Sequence, residues 1–271
     1  MVAPCRAAEA KRGYADPPMP TYRVEVDGFN ASDADIRAVL DSAGRELWRF
    51  FPDYKIEPFV VVRGRNGPIV LFQRNPRGEI VVQLDTGNTF WCQYGYQFAH
   101  EFCHILCGFD EDFQGNKWFE ETLCETASLF VLRAMAKSWK GDPPYAHWKD
   151  FRDSLRDYTD NVVLQRDKIC EIYDVGLPEF YLDHQKELRQ TPCLRDLNGA
   201  MSLVFLRLFE EQPERWEAVR WLNAKPSPDG ETFQQYLQQW HDAVPTRHKA
   251  FVGRVADLFR IEIELNKKAE K

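Results

Sequence analysis

Apolar and polar positions change their period along the chain, and the change divides it. Between residues 32 and 50, Ile36, Val39, Leu40, Leu47 and Trp48 recur at three- and four-residue spacing. That predicts an amphipathic helix with Ser32 as its N-cap. Pro52 and Pro58 then bracket a turn. Residues 59–63, 68–73 and 79–84 are rich in Val and Ile and are separated by Arg-Asn-Gly and Asn-Pro-Arg-Gly. They predict three short strands in a small antiparallel sheet. The last strand runs straight into Trp91–Gly108, a mostly apolar stretch whose polar residues Gln93, Gln97, His100, Glu101 and His104 fall on one helical face. Thr86, Asn88 or Thr89 can cap its start, and Gly108 suits the left-handed position past its end.

From residue 116 the pattern is helical almost throughout. Asn116 is placed to cap a helix over 117–139, and further helices are expected over 147–158, 196–211, 213–224, 231–241 and 246–260. Pro143-Pro144, Pro178, Pro213, Pro226, Pro228 and Pro245 punctuate them. The expected class is α+β. Residues 1–20, rich in Ala, Pro and charge, form a disordered segment. Residues 21–115 form an α+β N-terminal lobe, and residues 116–271 form a helical C-terminal lobe. The two most apolar helices, 91–108 and 116–139, meet where the lobes join, and clefts between lobes are common ligand sites.

Composition narrows the function. With 271 residues, 44% apolar and 14% aromatic, the chain can bury a sizeable core. Its net charge of −7 and the lack of a basic stripe argue against a nucleic-acid partner. No run of apolar residues is long enough for a membrane span. The start lacks the apolar core of a signal peptide, so the location follows from what precedes it: periplasmic or secreted behind a signal, otherwise cytoplasmic. The seven cysteines include no C-x-x-C pair, which argues against a cysteine zinc cluster. Cys103 and Cys107 share a helical face and read as core residues, while disulfides among the others would suit an exported protein. Oligomeric state is not legible.

The candidate chemistry lies in His100-Glu101-Phe102-Cys103-His104. Two imidazoles one helical turn apart can reach one Zn²⁺, and the adjacent Glu can touch a water at that metal. A catalytic zinc site also needs a third protein ligand and an open position. Glu121 and Glu125, one turn apart on the next helix, supply a carboxylate for the metal and another to orient a ligand histidine. Glu120 projects roughly 100° away and reads as an acidic first-turn residue that complements the helix dipole.

His100-Glu101-x-x-His104 followed by Trp118-Phe119-x-Glu121 and Glu125 resembles the gluzincin group of zinc metallopeptidases, the thermolysin-like and aminopeptidase-like proteins, over roughly residues 97–128. The resemblance implies a zincin-like fold. It also implies one Zn²⁺ per chain on His100, His104 and Glu121, with Glu101 as general base and Glu125 supporting a ligand histidine from behind. It further implies a zinc-dependent peptidase that acts on peptide or protein substrates, with a cleft-edge strand pairing the extended substrate. Sixteen residues separate His104 from Glu121, slightly fewer than in the best-known members. The aminopeptidase Gly-x-Met-x-Asn motif and the metzincin third histidine are both absent.

Gluzincins often take an oxyanion donor from the helical lobe. Tyr158, Tyr173, Tyr181 and His184 are candidates here, with Tyr181 and His184 the first to test. His147, His241 and His248 are expected on helix surfaces without a role, Asp110-Glu111-Asp112 in a solvated loop, and Trp216, Trp221 and Trp240 in the core. The rival class is a non-enzymatic zincin-fold binding or scaffolding protein with a structural or unused metal site. Glu101 argues against it, because a structural metal needs no general base.

Overall fold

The computed structural model describes residues 17–108, 115–169 and 172–264. The class is α+β. Strand β1 (Tyr22–Val24), helix α1 (Asp33–Trp48) and strand β2 (Phe59–Arg63) form a crossover unit, followed by β3 (Ile69–Leu71) and β4 (Ile80–Leu84). The sheet order is β1-β2-β4-β3, with β1, β2 and β4 parallel and β3 alone antiparallel to β4. The antiparallel sheet expected from the sequence is therefore corrected to a mixed one. The α1 crossover carries the chain back to the end where β1 began, which makes β1 and β2 parallel. β2 and β4 are the most buried strands and take the centre, whereas β3, with Ile69 exposed, takes the edge. β1 was not expected: at three residues it is too short to show a period.

The N-terminal boundary also shifts. Residues 17–20, expected to be disordered, pack on α1: the Pro18 carbonyl accepts from Trp48 Nε1 at 2.8 Å, and Met19 lies against the core. Residues 1–16 and the acidic run Asp110–Asp112 lie outside the described residues.

Helix α2 (Trp91–Leu106) packs on α1 and on α3 (Lys117–Ser138). Helices α4 (Phe151–Ile169), α5 (Ile172–Val175), α6 (Leu177–Gln190), α7 (Arg195–Glu211), α8 (Phe233–Ala243) and α9 (Thr246–Leu258) follow. α3 is the axis of the molecule. It touches α1, α2, α4, α6 and α7, and its residues 118–132 are buried on every side. A helix enclosed all round carries apolar and small polar residues on each face, so no amphipathic stripe is visible in its sequence. Trp118, Phe119, Trp216 and Trp240 have no exposed surface. Truncating Trp118 to Ala would cost about 3–5 kcal/mol.

Several local expectations change. Residues 213–221 form a 3-10 stretch rather than an α-helix, and α4 runs on to Ile169 rather than ending near 158. Pro178 lies inside the first turn of α6, where its missing N–H costs nothing, so it starts a helix instead of breaking one. Phe90, not Thr86, Asn88 or Thr89, occupies the N-cap of α2 without a side-chain cap, and Thr86 donates to Gln93 Oε1 instead. Asn116 holds the N-cap position of α3, but its amide bonds outward, to Arg189 and to the carbonyls of Glu231 and Thr232. Gly108 takes the expected left-handed conformation, with φ +66°.

A candidate metal centre between α2 and α3

α2 and α3 cross so that the polar face of one meets the acidic face of the other. His100 Nε2 lies 3.3 Å and His104 Nε2 3.6 Å from the same oxygen, Oε2 of Glu121. The two rings are 5.1 Å apart between centroids and inclined at 66°. Each imidazole thus presents Nε2 to one point while Nδ1 faces a different carboxylate. His104 Nδ1 stands 2.5 Å from Glu120 Oε1, and His100 Nδ1 stands 3.8 Å from Glu125 Oε1.

Both supporting carboxylates are themselves held. Glu120 Oε2 accepts from Asn223 Nδ2 at 2.7 Å, and Asn223 Oδ1 accepts from the Tyr236 hydroxyl at 3.0 Å. Glu125 Oε2 accepts from the Tyr96 hydroxyl at 2.6 Å and pairs closely with Arg166 of α4. Arg166 also donates to Ser202 Oγ at 2.9 Å. Glu120 does stand in the first turn of α3, as expected, but it is 3% exposed and lies directly behind His104, a contact not foreseen from the sequence. Neither Asn223 nor Arg166 was singled out from the sequence. Arg166 could have been found, because Tyr158, Val162, Gln165 and Arg166 form one face of α4, and all four line the site. Asn223 has no such signal, since it arrives from a turn some hundred residues away.

Glu101 sits beside the histidines, 3% exposed, and its carboxylate accepts the backbone N–H of Val70 in the edge strand β3. Burial raises its pKa above the ordinary carboxylate value, while the two imidazoles and the Val70 bond work the other way. Glu121 is pulled down: burial opposes its charge, but His104 and His100 outweigh it. Burial also opposes charge on the imidazoles, yet both are raised overall, His100 by Glu121, Glu101 and Glu125, and His104 by Glu121 and Glu120.

All five residues of the α2 polar face, Gln93, Gln97, His100, Glu101 and His104, line a cavity of about 710 Å³ together with Glu121 and Glu125. Pro68, Ile69, Val70 and Phe72 of the β3 edge form its apolar wall. Tyr158 lines it too, but Tyr181 and His184 do not. Tyr181 stacks on Trp118 at 5.2 Å among Phe233 and Phe259, and His184 leans on Phe180 at 4.8 Å near Glu187. On α6 Tyr181 turns into the core and His184 stays half-buried beside Phe180, away from the site.

His100, His104 and Cys124 also present ligand atoms within 4.8 Å of one another, so this cluster could hold a metal ion. Cys124, however, is fully buried, and its thiol hydrogen-bonds with those of Cys103 and Cys107 behind the site. Glu121 instead faces the cavity. Its second oxygen accepts from the Cys193 thiol at 3.2 Å. The five described cysteines Cys92, Cys103, Cys107, Cys124 and Cys193 are all free, so none of them forms the disulfides that the sequence left open. Among the described residues no helix is long and apolar enough to cross a membrane.

Comparison with known protein families, curated proteins and solved structures finds no match for this chain.

Proposed function

We propose that the protein is a zinc-dependent hydrolase acting on peptide bonds. One observation carries the reading: His100 Nε2, His104 Nε2 and Glu121 Oε2 converge at 3.3 and 3.6 Å on the wall of a cavity, with Glu101 buried beside them. Ligands about 2.0–2.1 Å from a tetrahedral zinc lie roughly 3.3–3.4 Å from one another, and the distances from Glu121 Oε2 to the two imidazole nitrogens are close to that spacing. Two imidazole nitrogens and one carboxylate oxygen are also a common catalytic zinc set, and one that leaves a coordination position open. Glu121 is favoured over Cys124 as the third ligand because it faces the cavity and Cys124 does not.

A zinc ion held there supplies Lewis acidity toward the scissile carbonyl. The rest belongs to the chain. Glu101 takes a proton from the attacking water as the new C–O bond forms, and returns it to the amine as the C–N bond breaks. The Val70 N–H fixes the carboxylate for that transfer. Glu120 holds the Nδ1 side of His104, and Glu125 faces Nδ1 of His100 at 3.8 Å, so both Nε2 lone pairs are left toward Glu121. A scaffold with a structural metal would need neither the buried base nor the cavity.

The test is metal analysis of the purified protein, together with digestion of a mixed peptide library with and without a chelator. About one zinc per chain and chelator-sensitive cleavage are expected. Metal-free protein, or zinc-loaded protein that cuts nothing, overturns the reading.

A further inference from the structure

Lys117, Glu121 and Glu125 lie at i, i+4 and i+8 on α3, and all three line the cavity. Successive members of such a row are about 6 Å apart along the axis. The wall therefore has two ends, one on each side of Glu121. At the Glu125 end the charge is cancelled by Arg166. Asp85, which also lines the cavity, is likewise met by Arg63 at 2.5 Å and by the Gly67 N–H at 3.0 Å.

The Lys117 end differs. Lys117 Nζ stands 4.3 Å over the Phe72 ring, and no carboxylate among the described residues pairs with it. Arg195, the first residue of α7, lines the same cavity and has no ion pair among the described residues either. Its Nη2 would stand 3.7 Å from a Cβ on Gly67, so the side chain reaches toward the β2–β3 turn. Cys193, two residues earlier, touches Glu121, which sets the start of α7 against the site. One acid, Asp196, also lines this end and is exposed. Among the described residues this end of the cavity therefore carries two cations against one acid, with Lys117 about 6 Å from Glu121 along α3.

On the hydrolase reading of this site, we propose that Lys117 and Arg195 select peptides bearing a carboxylate one or two residues from the bond that is cut. An extended chain advances about 3.4 Å per residue, so one or two residues cover that interval. The guanidinium can grip a carboxylate with two parallel bonds, and the ammonium adds a point charge. The carboxylate comes either from the peptide's C-terminus or from an Asp or Glu side chain, and the probes separate the two.

The experiment uses zinc-loaded protein carrying Glu101→Gln, so that binding is read without turnover. Three N-acetylated alanine pentapeptides serve as probes: one amidated, one with a free C-terminus, and one amidated with Glu at the fourth position. One of the two carboxylate peptides should bind at least about tenfold tighter than the amidated one, the scale of a charge-assisted hydrogen bond. Which of the two does so names the source. Adding Lys117→Met or Arg195→Met should bring that ratio of Kd values toward one, and Arg195→Glu should shift preference to a lysine-bearing peptide. Equal Kd values for the three probes, or a preference that survives both substitutions, overturn the proposal. Turnover of the same peptides by the unsubstituted protein is read separately. Selective binding without cleavage would sink the hydrolase reading and leave the carboxylate site standing.

Discussion

On α2 a half-buried His100 stands one turn from a buried His104, whereas α8 and α9 each carry a single buried imidazole, His241 and His248. The first pair faces three carboxylates across a helix crossing, with every ring nitrogen within 3.8 Å of one. Of the second two, His248 has Trp221 at 5.8 Å. Neither ring nitrogen of His241 makes a hydrogen bond, Asp242 standing 3.5 Å away, and His248 uses only Nε2, against Glu217 at 2.9 Å. The electrostatic outcomes are opposite. Burial pushes His241 down, helped by Lys249, and burial pushes His248 down despite Glu217. At the first pair the carboxylates overcome the same penalty. Burial alone does not make a site. What separates the pairs is the acidic face of α3, which gives each ring nitrogen of the first pair an oxygen to meet.

The largest expected break in that contrast is Glu121→Ala. Removing the shared oxygen should strip zinc from the protein, while Cys124→Ser should leave the metal in place; the reverse outcome, read by metal analysis, would move the third ligand to Cys124. Glu101→Gln should keep about one zinc per chain and lower hydrolysis about 10²–10⁴-fold, and unchanged turnover would exclude it as the base.

Supporting groups come next. Glu125→Ala and Asn223→Leu should each weaken zinc affinity or activity about 10–100-fold without removing a ligand. For Asn223→Leu the discriminating readout is the visible spectrum of the cobalt-substituted protein. The spectrum should change if Asn223 aims His104 through Glu120, and Asn223→Gln should partly restore it. An unaltered spectrum alongside lost stability would reduce Asn223 to packing.

The smallest effect belongs to the second pair. An imidazole with a depressed folded pKa binds protons better in the unfolded chain, whose value is 6.5. Stability is therefore untouched above that pH and is lost as the pH falls below it. Between about pH 7.5 and pH 5.5 the Tm should fall by a few degrees more in the parent than in His241→Leu, a comparison that cancels every other group. Parallel pH curves would show that His241 does not contribute.

Legibility in the sequence follows the same division. The α2 stripe was readable because polar residues that recur at helical spacing inside an apolar segment mark a buried face in need of polar partners, and all five line the cavity. Glu121 and Glu125 followed from a one-turn spacing, and both line the same cavity. Glu120 was misread because a first-turn acid is ordinary on a surface helix, and nothing local says that α3 is enclosed. Asn223 and Arg166 meet the site only through tertiary packing. His241 and His248 were expected at the surface, since a lone histidine carries no period of its own. The sheet was misjudged for a related reason: strand content is local, but the β1–β2 pairing depends on where the crossover helix returns the chain, and the β2–β4 pairing on β3 taking the outer edge.

The thiol cluster behind His104 lends itself to a kinetic use. Cys103, Cys107 and Cys124 have no exposed surface, whereas Cys193 is exposed at the cavity. A thiol reagent in excess should therefore reach Cys193 without any opening, slowed by burial and by the Glu121 carboxylate, which push its thiol pKa up to about 12, and reach the other three only when α2 and α3 part. Their labelling rate becomes a clock for that separation, and its slowing with added zinc would measure how firmly the ion clasps the two helices together.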